Sequence, residues 1–281
     1  MDIFLIGQLN VIFYIFFFLT GLAIGSFANV CIYRIPLNLS VVKPRSCCPG
    51  CKKQIKWYDN IPVLSYLFLA GKCRCCKGKI SVIYPVVELM TGFSFVLLFY
   101  FYGLTPALLL FCFTAFCLVA VSGIDYYHQI IPDIFPLMLV ISGLLFSFFN
   151  IILGETSLQR FLNAAAGIAA GGGSLLLIGL LGQFVFKKEA MGGGDVKLMA
   201  GIGAVIGWER VLLAIFIASF IGSVAGLFLI AAEKVEKKGY MPFGPFLSVA
   251  SYMTLIMPAP PALFNAFFAW ETGILNKFFG A

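Results

Sequence analysis

The chain has 281 residues, of which 61% are hydrophobic and 11% are charged, and its formal net charge is +7. A mean hydropathy of +1.02 excludes a soluble globular domain, and several apolar runs exceed the ~18 residues that indicate a transmembrane helix. The sequence lacks the alternating segments of about ten residues that a membrane β-barrel requires. We therefore predict an all-α polytopic membrane protein.

The first predicted transmembrane helix occupies residues 1–33. Its apolar run from Val11 to Tyr33 is too long for the hydrophobic part of a signal peptide. Gly21 and Gly25 are spaced for close helix packing. The helix is expected to end near Arg34, which suits the headgroup boundary, because a proline follows two residues later.

Residues 34–84 form a loop with ten Lys or Arg residues and one acidic residue, Asp59. Such an excess of positive charge indicates the cytoplasmic side of the membrane. Nucleic-acid binding is not expected, because cysteines interrupt the basic residues and no nucleic-acid motif is present. We place this loop in the cytoplasm, next to the lipid bilayer.

Two CxxC pairs in this loop predict a metal site. They are separated by 21 residues, and in a reducing cytoplasmic loop such spacing indicates a tetrathiolate zinc ribbon. Disulfides are the alternative, but the cytosol disfavours them. Cys47 and Cys75 leave the ligand set open, since Cys73-x-Cys75 could replace the second pair. The predicted ligands of this structural Zn²⁺ are Cys48, Cys51, Cys73 and Cys76.

A membrane-embedded core is predicted over residues 85–260, with a C-terminal tail over 261–281. Its spans are expected at about 84–102, 105–124, 134–153, 161–186, 196–208, 211–232 and 243–258. The run 196–208 has 13 residues and would be only about 20 Å long as a helix. Counting it as a span places 16 of the 19 basic residues on one side, as the positive-inside rule demands. We therefore predict about eight transmembrane helices.

This topology brings two carboxylates to the cytoplasmic side, each at a helix end. Asp195 follows three glycines, which would let a peptide come close, and Asp125 ends the third span. A helix cap is the alternative role for Asp195. Ionisable residues at a bilayer edge favour a functional site. Two carboxyl groups sharing one proton can hydrolyse a peptide without metal or cysteine.

Helix polarity suggests a role for each aspartate. Asp195 begins a helix, where the dipole favours a carboxylate, and Lys197 would reinforce it by turning back toward the site. Asp125 closes a helix beside two tyrosines, in a poorly hydrated region. We hypothesise that Asp195 is the base and Asp125 is the acid.

The chain resembles the type IV prepilin peptidase family of GxGD aspartyl proteases. The resemblance extends from about Gly21 to Gly244. It rests on GxGD at 192–195, an Asp-x7-Asp arrangement at 125–133, the paired CxxC motifs, the first-helix pattern GSFxNV…RxP and connecting stretches such as the sequence NIPVLS at 60–65. The combination is specific, whereas GxGD alone also occurs in other intramembrane proteases.

The resemblance implies an enzyme of the cytoplasmic (inner) membrane. It would cleave the leader of type IV prepilins or type II secretion pseudopilins and methylate the new N-terminal residue, with S-adenosyl-L-methionine as donor. Methylation rests on the resemblance alone, since no nucleotide-binding fingerprint is present. Tyr127 stands where the family often has a second acidic residue. The family's catalytic residues match Asp125 and Asp195, and its active-site motif matches Gly192, Gly194, Lys197 and Asp133.

Two other functions remain open from the residues. An ion-coupled membrane transporter also uses intramembrane carboxylates and short glycine-interrupted helices. That reading predicts an internal repeat, and the sequence contains none. A membrane scaffold whose zinc loop binds a partner would leave the aspartate pair without a purpose.

Overall fold

The computed structural model describes residues 3–187, 191–231 and 242–257. The predicted tail at 261–281 and residues 233–241, which connect the last two predicted spans, lie outside these ranges. The described residues form helices and turns without an extended sheet. The helices are α1 (Ile3–Arg34), α2 (Leu64–Phe68), α3 (Ile83–Tyr102), α4 (Pro106–His128), α5 (Ile134–Phe146), α6 (Ser157–Phe186), α7 (Gly193–Ala231) and α8 (Gly244–Ile256).

Five of these helices are long and apolar enough to cross a membrane, namely α1, α3, α4, α6 and α7. The helices α5 and α8 are apolar but have 13 residues each. Residues 147–149 and 151–153 form 3₁₀ turns after α5, so the span predicted at 134–153 is α-helical only as far as Phe146. The all-α, multi-pass membrane fold is confirmed.

The long helix α7 is two helical segments joined at Gly207. This residue has φ 81° and ψ 173°, which are not helical angles. A Cβ atom built on Gly171 would lie 2.2 Å from the Met199 carbonyl oxygen and 2.9 Å from a methyl of Val211. In a straight helix those two residues would be about 18 Å apart. The chain therefore reverses at Gly207, which agrees with separate spans at 196–208 and 211–232.

Small residues allow the helices to pack closely, as the sequence predicts. Gly21 faces Gly92 across the α1–α3 interface, and a Cβ at Gly21 would lie 2.7 Å from the Gly92 Cα. Gly167 meets Gly203 between α6 and α7, where a Cβ on either glycine would lie 2.0 Å from the other's carbonyl oxygen. Without water to drive association, such close backbone contact stabilises helix pairs in a membrane.

The far end of α8 is held by two polar side chains. Arg210, which is buried, donates to the carbonyl oxygens of Thr254 (2.8 Å) and Met257 (3.0 Å). The Tyr102 hydroxyl donates to the Leu255 carbonyl. These bonds satisfy carbonyl groups that the end of a helix leaves unpaired. They fix α8 along its axis, and its other end reaches the aspartate site.

Candidate active site and metal centre

Asp125 lies in the last turn of α4 and is buried, with 6% of its surface exposed. The turn is closed by Gln129, whose backbone has left-handed angles (φ 54°, ψ 37°) and whose N–H donates to the Asp125 carbonyl at 2.9 Å. The Gly244 N–H donates to Asp125 Oδ2 at 2.8 Å. Asp125 is therefore held by its own helix and by the start of α8.

Asp195 is the third residue of α7 and is half-buried. Its backbone N–H donates to the Gly192 carbonyl at 3.2 Å. Its carboxyl group lies close enough to Asp125 for the two to interact electrostatically. The structure thus brings together the two aspartates that the sequence singles out, through the ends of α4 and α7.

Gly244 is a site residue that the sequence reasoning missed. A Cβ at this position would lie 2.7 Å from Asp125 Oδ2 and 3.0 Å from its Cγ. Any side chain here would therefore displace the carboxyl group. The Pro-Phe-Gly-Pro stretch at 242–245 signals a helix start, but nothing local indicates that this start touches Asp125.

The glycines before Asp195 have different surroundings. A Cβ at Gly194 would lie 2.9 Å from the Ile131 Cβ, so this glycine admits the chain's own α4–α5 loop rather than a substrate. A Cβ at Gly193 would have no atom of the described residues within 4 Å, and one at Gly192 would meet only Asp195 Oδ2 at 3.5 Å. The expectation that glycine clears space for a peptide therefore does not hold at Gly194.

Lys197 does not turn toward Asp195, which corrects the sequence-based expectation. Its Nζ donates to both carboxylate oxygens of Asp133, at 2.8 and 2.9 Å. Both side chains are largely exposed. The ion pair joins the start of α5 to the start of α7, beside the contact between Ile131 and Gly194. Lys197 thus holds the loop that follows Asp125, and it lends no charge to Asp195 directly.

The assignment of base and acid within the pair stays a prediction. Ionised and neutral carboxyl groups can both accept the bond from Gly244, so this contact does not distinguish the two forms. Tyr126 and Tyr127, which follow Asp125 in sequence, are exposed and do not cover it. The burial of Asp125 comes instead from its place among the packed helices.

The four cysteines of the CxxC pairs converge on one point. The Sγ atoms of Cys48, Cys51, Cys73 and Cys76 all lie within 4.8 Å of one another. Tetrahedral zinc with Zn–S bonds of about 2.3 Å requires sulfur atoms about 3.8 Å apart, and Cys48 Sγ lies 3.8 Å from Cys76 Sγ. Cys47 and Cys75 are exposed and stand outside the cluster. The donor set and its dimensions fit zinc.

Each CxxC pair lies in a turn of the same construction. The Lys52 N–H donates to the Cys48 carbonyl (2.8 Å), and the Lys77 N–H donates to the Cys73 carbonyl (3.0 Å). Both lysines have positive φ, 59° and 56°. In the second turn, the N–H groups of Cys76 and Cys75 lower the pKa of the Cys73 thiol to about 6. A thiolate is the form that binds metal.

Three buried polar side chains on the membrane helices bond the metal loop and the start of α3, where the loop ends. Asn29 donates to the Tyr84 carbonyl at 3.1 Å, and Glu88 accepts the Val63 N–H at 2.7 Å. Arg34 donates to the Ser40 carbonyl at 2.9 Å. Arg34, the last residue of α1, is buried, and its expected place at the headgroup boundary stays a prediction. The loop is therefore bonded to α1 and α3 as well as covalently continuous with them.

Two family models match the sequence. The first, described as the bacterial peptidase A24 N-terminal domain, matches residues 19–102. The second, described as the type IV leader peptidase family, matches residues 111–227. Between them they include the metal loop and both aspartates.

Several curated relatives carry the name prepilin leader peptidase/N-methyltransferase. The protein from Neisseria gonorrhoeae is 37% identical over 90% of this chain and 92% of its own length. The one from Dickeya chrysanthemi is 36% identical over 85% and 90% of the two chains. The one from Myxococcus xanthus (strain DK1622) is 38% identical over 80% of this chain and 66% of the relative. No solved structure matches the chain.

Proposed function

The chain belongs to the type IV leader peptidase family, and we propose that it cleaves the leader peptides of type IV prepilins or pseudopilins and methylates the new N-terminus. The observation that carries the proposal is the pair of aspartates at the ends of α4 and α7, with the Gly244 N–H bonded to Asp125. The names of the relatives agree with this activity. The transporter alternative has no support among them.

In the proposed reaction, water attacks the scissile carbonyl between the two aspartates. The ionised carboxylate takes a proton from the water, and the protonated partner gives its proton to the departing amine. We assign the base to Asp195 and the acid to Asp125. The carbon–nitrogen bond breaks, a new carbon–oxygen bond forms, and the pair ends with its proton moved from one carboxyl group to the other.

The metal loop has a structural role in this proposal. Zinc held by Cys48, Cys51, Cys73 and Cys76 would close the two turns upon each other, because a segment of this size has little core of its own. S-adenosyl-L-methionine would supply an electrophilic methyl group to the new amine. We propose no residues for its binding.

The location follows from charge. The loop at 34–84 carries ten of the 19 basic residues. We therefore propose that the loop and the aspartate site lie on the cytoplasmic side of the inner membrane. The domains in this proposal are the first helix (1–33), the metal loop (34–84), the peptidase core (85–260) and the tail (261–281).

The direct test incubates purified, reconstituted protein with a prepilin and measures the product mass with and without S-adenosyl-L-methionine. Cleavage at the leader junction, with one added methyl group only when the donor is present, is the expected result. An unchanged prepilin in the presence of folded enzyme contradicts the proposal. Cleavage without methylation would remove the second activity and leave the first.

A further inference from the structure

Residues 57–68, which we name the arm, connect the two cysteine pairs and carry their apolar side chains on the outside. The arm consists of a 3₁₀ turn at Trp57–Asn60 and helix α2 at Leu64–Phe68. Residues three and four positions apart share one helix face, and on α2 that face is apolar and turned outward. The exposed fractions are 51% for Leu64, 65% for Leu67, 84% for Phe68 and 79% for Trp57.

The polar side of the arm is turned inward and bonded to the protein. Buried Ser65 donates through Oγ to the Tyr58 carbonyl (2.9 Å) and accepts the Ile61 N–H (3.0 Å). Arg74 forms a two-point contact with Asp59 at 2.6–3.0 Å and lies 5.6 Å from the centre of the Tyr58 ring. Two polar side chains of the arm, Ser65 and Asp59, are therefore bonded within the protein, whereas its four large apolar side chains are exposed. A water-soluble loop has the opposite arrangement.

The arm is bonded to α3 near the start of that helix. Val63 has φ 59°, an unfavourable angle for a β-branched residue, and its N–H is bonded to Glu88 at 2.7 Å. Glu88 is five residues into α3, about 7.5 Å along the helix from its first residue. Because the turn at Val63 is bonded at this depth, the apolar face of α2 begins beside the first turns of a membrane-spanning helix.

Charge around the arm complements an anionic lipid leaflet. Exposed Lys56 and Lys72 flank the arm in sequence, and Asp59, the one acidic residue of the loop, is already paired with Arg74. An apolar face with tryptophan and flanking lysines is the composition of segments that lie in a membrane interface. We propose that the arm lies in the headgroup region, with its four apolar side chains at the acyl boundary and lysines near anionic phospholipid.

The test measures the depth of single tryptophans in reconstituted full-length protein. Trp208→Phe and Trp270→Phe leave Trp57 as the only indole, and brominated lipid or iodide in the water then reports its surroundings. The matched positions are Phe68→Trp and Tyr58→Trp, each made in the background that also has Trp57→Phe. Vesicles contain phosphatidylcholine with or without phosphatidylglycerol.

We expect Trp57 and the indole at position 68 to fluoresce at a shorter wavelength than an indole in water. Brominated lipid should quench both, and both should be shielded from iodide. The indole at position 58 replaces a tyrosine that lies beside Arg74 and is 39% exposed, against 79% for Trp57, so the lipid should quench it less. Phosphatidylglycerol should increase the lipid quenching at 57 and 68. Iodide quenching of both indoles overturns the proposal. Shielding of both from iodide and lipid alike also overturns it, because a protein partner or second copy would then cover the face.

Discussion

Replacing Gly194 with alanine tests how the GxGD motif sets the geometry of the site. The added Cβ would lie 2.9 Å from the Ile131 Cβ and 3.4 Å from its Cγ1. Carbon atoms pack best at about 3.5–4.0 Å, so the loop after Asp125 must move away from the start of α7 by roughly half an ångström or more. Since Asp195 is the next residue, the substitution separates the two carboxyl groups.

The neighbouring substitution Gly193→Ala is the matched control. No described atom lies within 4 Å of its Cβ position. Alanine in place of a helical glycine ordinarily stabilises a protein by about 0.4–1 kcal/mol, because it lowers the conformational entropy of the unfolded chain. Overpacking costs about 1–3 kcal/mol. The change from glycine to alanine should therefore leave the stability of the protein unchanged or increase it at position 193, and should decrease it at position 194.

The assay compares leader cleavage by both reconstituted variants at equal protein, with thermal unfolding measured in parallel. A misplacement of about 1 Å at a reacting group can cost about a hundredfold in rate, and we expect Gly194→Ala to lose between tenfold and a hundredfold. Gly193→Ala should stay within about threefold of the parent, given its open surroundings. Full activity of Gly194→Ala, or equal losses in the two variants, would refute this account of the motif.

The other predictions concern α8, the metal and the ion pair. Gly244→Ala should reduce the rate of cleavage by about a hundredfold. The control Gly173→Ala, whose Cβ would have no described atom within 4 Å, should keep the parental rate. Equal rates in the two variants would contradict the contact between Gly244 and Asp125. Elemental analysis should find about one zinc per chain. A variant in which Cys48 and Cys51 are both changed to serine should lose this zinc, and a protease should then cut the loop. Methylation should decrease more than cleavage in that variant. Reduced, freshly purified protein without zinc would refute the metal site. Lys197→Ala removes an exposed ion pair worth about 0–1 kcal/mol, so its cleavage rate should fall less than tenfold, and a complete loss would assign it a larger role.

The sequence predicts the helices because their apolar runs are long and their ends are marked by charge. It also predicts a chain reversal between residues 208 and 211, since the positive-inside rule requires the short sixth span, and the structure has the reversal at Gly207. The ligand set at the metal site is left open by the doubled cysteines. In the structure, turns at Lys52 and Lys77 accompany the convergence of Cys48, Cys51, Cys73 and Cys76, so these four stay the proposed ligands.

Contacts between distant residues are where sequence reasoning fails. Gly244 touches Asp125 across 119 positions, and Glu88 holds Val63 across 25. Neither pair has a local pattern, since each depends on how whole helices pack. Lys197 shows the same limit: its nearness in sequence to Asp195 suggests a charge partner, but the helix directs it to Asp133. The aspartates themselves are found because ionisable residues in apolar surroundings stand out.

The central claim is that Asp125 and Asp195 together perform peptide hydrolysis. The measurement that tests it most directly is leader cleavage by Asp125→Asn and Asp195→Asn in matched vesicles, with Glu155→Gln as the control at an exposed loop position. Asparagine keeps the size of the side chain but can neither take nor give the proton. The account predicts no detectable cleavage by either aspartate variant, normal membrane insertion of both, and parental activity of the control. Near-parental cleavage by either aspartate variant would contradict it.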